Sequence, residues 1–173
     1  MRTETAPDTR FRSPDYFALP EGFPCELVEG HFVKQPAPTY GHQHVVLALL
    51  FHLCQRLGVD RVVPSPIDLQ IDDYNVLQPD VAVYREPLPR STQRLPVPAL
   101  VVEVLSPSTA HRDRERKTGI YLAAGVAEVW LVDPDTGAVE VHTHAGATAY
   151  APDEPATSRA VPGLTVTGRD AVA

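Results

Sequence analysis

Leu100-Val101-Val102-Glu103-Val104-Leu105 is an apolar hexamer interrupted by one carboxylate, the pattern of a strand buried on both faces. Ser106-Pro107-Ser108-Thr109 then offers N-caps for a helix predicted to run to about Ala124, with Gly125 placed just past its end. Glu128-Val129-Trp130-Leu131-Val132-Asp133 reads as a second buried strand. Strand, helix and strand over 100–133 form a βαβ-like unit, which predicts an α/β fold with a central mixed β-sheet flanked by helices.

Upstream of this unit, Asp80-Val81-Ala82-Val83-Tyr84, the alternating Ile67-Asp68-Leu69-Gln70-Ile71 and Arg61-Val62-Val63 read as three strands, with a turn at 72–75. Gly41 to Leu57 carries Val45, Val46, Leu49, Leu50, Leu53 and Leu57 at helical spacing, so an amphipathic helix closed by Gly58 is expected. Cys25 to Glu29 and His31 to Lys34, joined at Gly30, predict an N-terminal β-hairpin. Downstream, Pro134 to Gly137 turns into Ala138 to His144, an expected edge hairpin whose free edge a homodimer could cover. Residues 1–14 are polar without apolar periodicity and are expected to be a flexible tail. Residues 15–173 then form a single domain, with a surface loop at 153–159.

The chain has 173 residues, 43% hydrophobic and 21% charged, enough to bury one core. Its start lacks the apolar region of a signal peptide, and no run approaches the length of a membrane span, so a cytoplasmic protein without a membrane partner is expected. Cys25 and Cys54 stand far apart, which argues for buried free thiols. A net charge of -7 speaks against wrapping nucleic acid over the whole surface. It leaves room for a local basic patch, and His111 to Lys117 is the densest one.

An ionised carboxylate inside a doubly buried strand costs several kcal/mol unless cations or donors compensate it. Alternation puts Glu103 on the face of Val101 and Leu105. On the following helix Asp113, Lys117, Ile120, Tyr121 and Ala124 share one stripe that becomes apolar toward its end, so Lys117 is predicted to point at the sheet. If the helix doubles back over the strand, Lys117 lies about 12 Å along its axis, within reach of Glu103. Arg112, Arg114 and Arg116 fall toward solvent. Asp80 follows Pro79, which cannot donate to a ladder, so Asp80 belongs at a strand entrance.

Two carboxylates on neighbouring strands and an inward lysine are the minimal set for holding a hard cation and activating a water. Singly, Glu103 with Lys117 could be a structural ion pair and Asp80 a turn residue; their convergence favours a site. His142 and His144 share a strand face but have no evident third ligand for zinc, and Trp130 and Tyr121 read as core anchors.

Glu26-Leu27-Val28-Glu29-Gly30, Pro79-Asp80-Val81-Ala82-Val83, Val102 to Thr109, Asp113 with Lys117, and Tyr121 to Pro134 together resemble the Uma2 family of the PD-(D/E)xK restriction-endonuclease-like nucleases, over roughly residues 16–168. The resemblance implies a metal-dependent DNA endonuclease using Mg²⁺ or Mn²⁺ and no organic cofactor. Asp80 and Glu103 would be its metal ligands and Lys117 its catalytic lysine. The superfamily lysine expected two residues after the glutamate is replaced by Leu105, so that role falls to Lys117 on the next helix. Glu26 and His42 match positions that recur in the family, and Glu26 could add a further acid. Two other readings remain open: a catalytically weak or inactive module acting by binding or oligomer assembly, which the acidic balance favours, and a nuclease acting on RNA or small nucleotides.

Overall fold

A computed structural model describes residues 10–106 and 111–172, and of 111–114 the backbone alone. In chain order the elements are helix α1 (Ser13–Phe17), strands β1 (Cys25–Val28) and β2 (His31–Lys34), helix α2 (Tyr40–Leu57), strands β3 (Val62–Pro64), β4 (Leu69–Gln70), β5 (Val76–Leu77), β6 (Val81–Val83) and β7 (Leu100–Val104), helix α3 (His111–Ala123), strands β8 (Glu128–Val132), β9 (Val139–Thr143), β10 (Gly146–Tyr150), β11 (Pro155–Thr157) and β12 (Thr165–Thr167), and helix α4 (Gly168–Val172).

The main sheet has the order β10-β9-β8-β7-β6-β3. Strands β7 and β8, joined by the α3 crossover, run parallel, with Glu103 beside Leu131. The other neighbours are antiparallel. This is the mixed sheet that the 100–133 unit predicts. A smaller sheet of order β2-β1-β5-β4 carries the N-terminal hairpin, and β11 pairs with β12.

Alternation along β7 divides the core. Leu100, Val102 and Val104 pack with Val45, Val46, Leu49 and Leu53 of α2 and with Ala156, Val161 and Leu164 from the C-terminal segment. Val101, on the other face, packs with Tyr121 of α3 and with Val28, Leu69 and Leu77 of the smaller sheet. Tyr16 of α1 closes the outer side of that sheet over Cys25, Leu27 and Val76. Each large apolar side chain so enclosed contributes roughly 1.5–3 kcal/mol relative to exposure. The space where the two sheets and α3 meet is therefore where Glu103 points.

The hairpin turn is made by Glu29 and Gly30, both at positive φ (49° and 81°), which matches the twist of the strands it joins. A Cβ at Gly30 would come within 2.5 Å of the Arg10 Cβ, so both backbone and space require glycine there.

Four expectations change. Order begins before residue 15: the Phe11 amide donates to the Gly30 carbonyl (2.9 Å) and the Ser13 amide to that of Asp73 (2.7 Å). The Phe11 ring also lies 4.5 Å from that of Phe32. A polar segment without periodicity is held here by backbone bonds across the hairpin tip. Of the strand expected at 67–71 only Leu69–Gln70 forms a ladder, paired with the unforeseen Val76–Leu77. The 153–159 segment contains β11, whose Ala156 is buried under the main sheet. Finally, 138–144 is not at the edge, because β10 covers β9 on that side. The expected N-caps at 107–109 and the side chains of Arg112, Asp113 and Arg114 lie outside the described residues. No described helix is long and apolar enough to cross a membrane.

Candidate active site

Glu26 in β1, His42 in the first turn of α2, Asp80 before β6, Glu103 in β7 and Lys117 in α3 all line one cleft of about 1140 Å³. The sequence expectation for Lys117 is met geometrically: its Nζ lies 3.0 Å from Glu103 Oε1. The same ammonium lies 2.9 Å from Glu26 Oε1, so one lysine bridges two acids from different sheets.

Glu26 is the most enclosed of these acids, its side chain 1% exposed against 16% for Glu103. The Gln78 amide donates to its Oε1 (2.7 Å) and Gln35 Nε2 to its Oε2 (2.5 Å). Both of its oxygens are thus engaged, which makes Glu26 an anchor for the lysine. In the sequence Glu26 is marked by the family resemblance alone, yet the signal that marks Glu103, a carboxylate inside an apolar strand, is present in Cys25-Glu26-Leu27-Val28 as well. Gln35 and Gln78 carried no such signal.

Glu103 also accepts from the Tyr121 hydroxyl at 2.8 Å, again on Oε1. Tyr121 is fully buried, as a core anchor should be, and its polar tip serves the site. Asp80 sits at the entrance of β6, where Pro79 precedes it, and its Oδ2 accepts from the Val104 amide at 2.8 Å. That bond draws Asp80 to the end of β7, one position before Leu105. His42 Nε2 lies 3.3 Å from the same Oδ2. Its position follows from Thr39, whose hydroxyl accepts from the His42 amide and starts the helix at the cleft. His42 Nδ1 is buried with no hydrogen-bond partner among the described residues.

The electrostatics follow from a lysine set between two carboxylates, with Asp80 as a third acid acting on Glu103. Burial raises the Glu103 carboxyl to about 7, with Lys117 opposing and Asp80 and Glu26 pushing further up. For Lys117, burial alone would lower the pKa, but the Glu103 and Glu26 carboxylates outweigh it and the net shift is upward. The lysine is therefore a cation at neutral pH. The hydrogen bond to Asp80 raises the His42 pKa, against the opposing effect of burial. Arg116, on the outer side of α3, pairs with Glu29 and fastens the helix to the hairpin turn. Cys25 is buried and Cys54 half-buried, both as free thiols.

The donor set suits a hard divalent cation. Among the described residues every contact of Glu103 falls on Oε1 and every one of Asp80 on Oδ2, so no described donor reaches the second oxygen of either acid. No group of three or more His, Cys, Asp or Glu side chains among the described residues is arranged to hold a metal. Two carboxylates with water and phosphate oxygens are what Mg²⁺ ordinarily takes.

The Uma2 family model, described as "Putative restriction endonuclease", matches residues 13–169. An uncharacterized protein of Synechocystis sp. is 32% identical over 115 residues, which are 64% of this chain and 60% of that one, so the match spans less than two thirds of the relative. The fold is shared with a crystal structure from Anabaena variabilis, titled as that of a putative nuclease belonging to DUF820, at a TM-score of 0.79 and 20% identity, covering 92% of this chain and 96% of that one.

Proposed function

The chain belongs to the Uma2 family of putative restriction endonucleases, and from that membership and the cleft we propose that it is a metal-dependent endonuclease hydrolysing DNA phosphodiester bonds. The observation that carries this reading is the lysine bridging Glu26 and Glu103 in the cleft that Asp80 also lines, with one oxygen of Asp80 and of Glu103 met by no donor among the described residues. In it, Asp80 and Glu103 hold Mg²⁺ or Mn²⁺, which when bound supplies Lewis-acid polarisation of a phosphate oxygen and lowers the pKa of a water. Lys117, kept protonated by its two acids, does not take a proton. Its ammonium instead stabilises the negative charge that develops on the attacked phosphate. Glu26 is a positioning residue that fixes the lysine, and Tyr121 orients Glu103 through the hydroxyl bond.

Nicking of supercoiled plasmid with Mg²⁺ or Mn²⁺ tests the reading. Wild type is expected to relax the plasmid, and Glu103→Ala and Lys117→Ala to lose at least about a hundredfold in rate, the scale of a removed charge-stabilising group. Cleavage surviving both substitutions would sink the site. A wild type that neither nicks nor binds metal would favour the binding or assembly module, and a panel including RNA separates the nucleic-acid substrates.

A further inference from the structure

Helix α2 is apolar on two sides. Val45, Val46, Leu49 and Leu53 are buried against the main sheet. On the opposite side Tyr40, Leu47 and Phe51 are 85%, 66% and 62% exposed. His44 stands between them, its ring 5.9 Å from that of Tyr40. Positions 40, 44, 47 and 51 are separated by four, three and four residues, the seam spacing of a two-helix coil. Arg56, in the last turn, is the one Lys, Arg, Asp or Glu in this 18-residue helix. A solvent-facing helix side normally carries charges, and large apolar side chains in a row mark a contact surface.

We propose that this side of α2 pairs with the same side of a second copy of the chain, giving a two-fold dimer. A chain of net charge -7 repels its own copy on the whole, and this uncharged strip lets two copies meet without opposing like charges. A seam of this spacing is complementary to itself, as a two-fold interface requires. The three exposed side chains offer roughly 400 Å² of surface per copy, so two copies with flanking groups bury on the order of 1,000 Å², the low end of specific interfaces. The dimer is accordingly weak and reversible. Thr39, His42 and Gln43, from the start of α2, line the cleft, so the pairing sets the rims of two clefts side by side. The interface lies on the helix and not on the strand edge that sequence reasoning favoured.

Sedimentation of the full chain tests this. The wild-type mass is expected to rise from 18.9 kDa toward twice that value. The rise should fall between roughly 1 μM and 1 mM, the window of such small interfaces. Leu47→Glu/Phe51→Glu should remain at the monomer mass throughout, with an unchanged thermal melt because both side chains are already exposed. Ala147→Lys/Ala149→Lys on the exposed β10 edge should dimerise as wild type does. Mixing Leu47→Glu with Leu47→Lys should restore a dimer that neither variant forms alone. A wild type monomeric at every concentration overturns the proposal and assigns the strip to a different partner. A dimer indifferent to the α2 changes, or one abolished by the β10 changes, overturns it as well.

Discussion

Glu128 and Glu103 stand on the two strands that run parallel at the centre of the main sheet, and their carboxylates are satisfied in opposite ways. Glu128, 3% exposed, receives Trp130 Nε1 (3.0 Å) and Ser158 Oγ (2.8 Å) on one oxygen and the Arg159 (2.7 Å) and Ala160 (3.1 Å) amides on the other. Four neutral donors use the whole group and pin the 158–160 segment to the sheet. Among the described residues Glu103 is bound on one oxygen; it faces a cation and has two further acids pressing on it. A carboxylate with all its sites filled is a fastening. One left half-filled in an excess of negative charge is poised to bind something positive.

Removing each group should separate the two roles. Glu128→Ala strands four donors in the core and is expected to lower stability by about 3–5 kcal/mol in equilibrium urea unfolding, with metal affinity unchanged in the folded protein. A loss below about 1 kcal/mol would mean that the segment is held by its own packing and the contrast is false.

Glu103→Gln keeps the shape and the acceptor for Tyr121 but removes the charge. It should cost at least a hundredfold in nicking, about 2.7 kcal/mol, while unfolding at pH 8 shows stability equal to or up to about 1 kcal/mol above wild type. A variant that is both inactive and several kcal/mol less stable would place Glu103 with Glu128 as a fastening.

The pH dependence has a definite sign. The Glu103 carboxyl sits at about 7 in the folded chain against an ordinary 4.5, so the folded state keeps a proton that the unfolded state releases. Stability therefore falls as pH rises through that window, and the raised His42 acts in the same direction. Thermal melts between pH 5 and 8 should show this fall, on the order of 1–2 kcal/mol, reduced in Glu103→Gln. Mn²⁺ should raise the melting temperature more at pH 8 than at pH 5.5, since the cation competes with the proton.

The smallest effect belongs to an ion pair in the open. Arg116 and Glu29 are 38% and 54% exposed, and Arg116→Ala should change stability by no more than about 0–1 kcal/mol, less in high salt.

Much of this was legible in the sequence wherever a run of residues carried its own period. The 100–133 unit and the α2 helix stand out by apolar patterning, and Lys117 meets Glu103 because a helix stripe and strand alternation can both be counted. The strands at 76–77, 155–157 and 165–167 are two or three residues long, too short for any period to show. Their sheets exist because tertiary neighbours pair them. The anchoring role of Glu26 is hidden for a related reason: its partners come from positions 35, 78 and 117, and no local spacing announces them.

That scattered set of partners has a kinetic meaning. Joining residue 26 to 78 and to 117 closes long loops, whose entropy is lost before the contacts return it. Helices α2 and α3 can form from local bonds early in folding, whereas the acid–lysine bridge waits until both sheets have docked. A chain caught part-way thus has secondary structure but no assembled centre, and the chemistry of the cleft reports on completion of the fold.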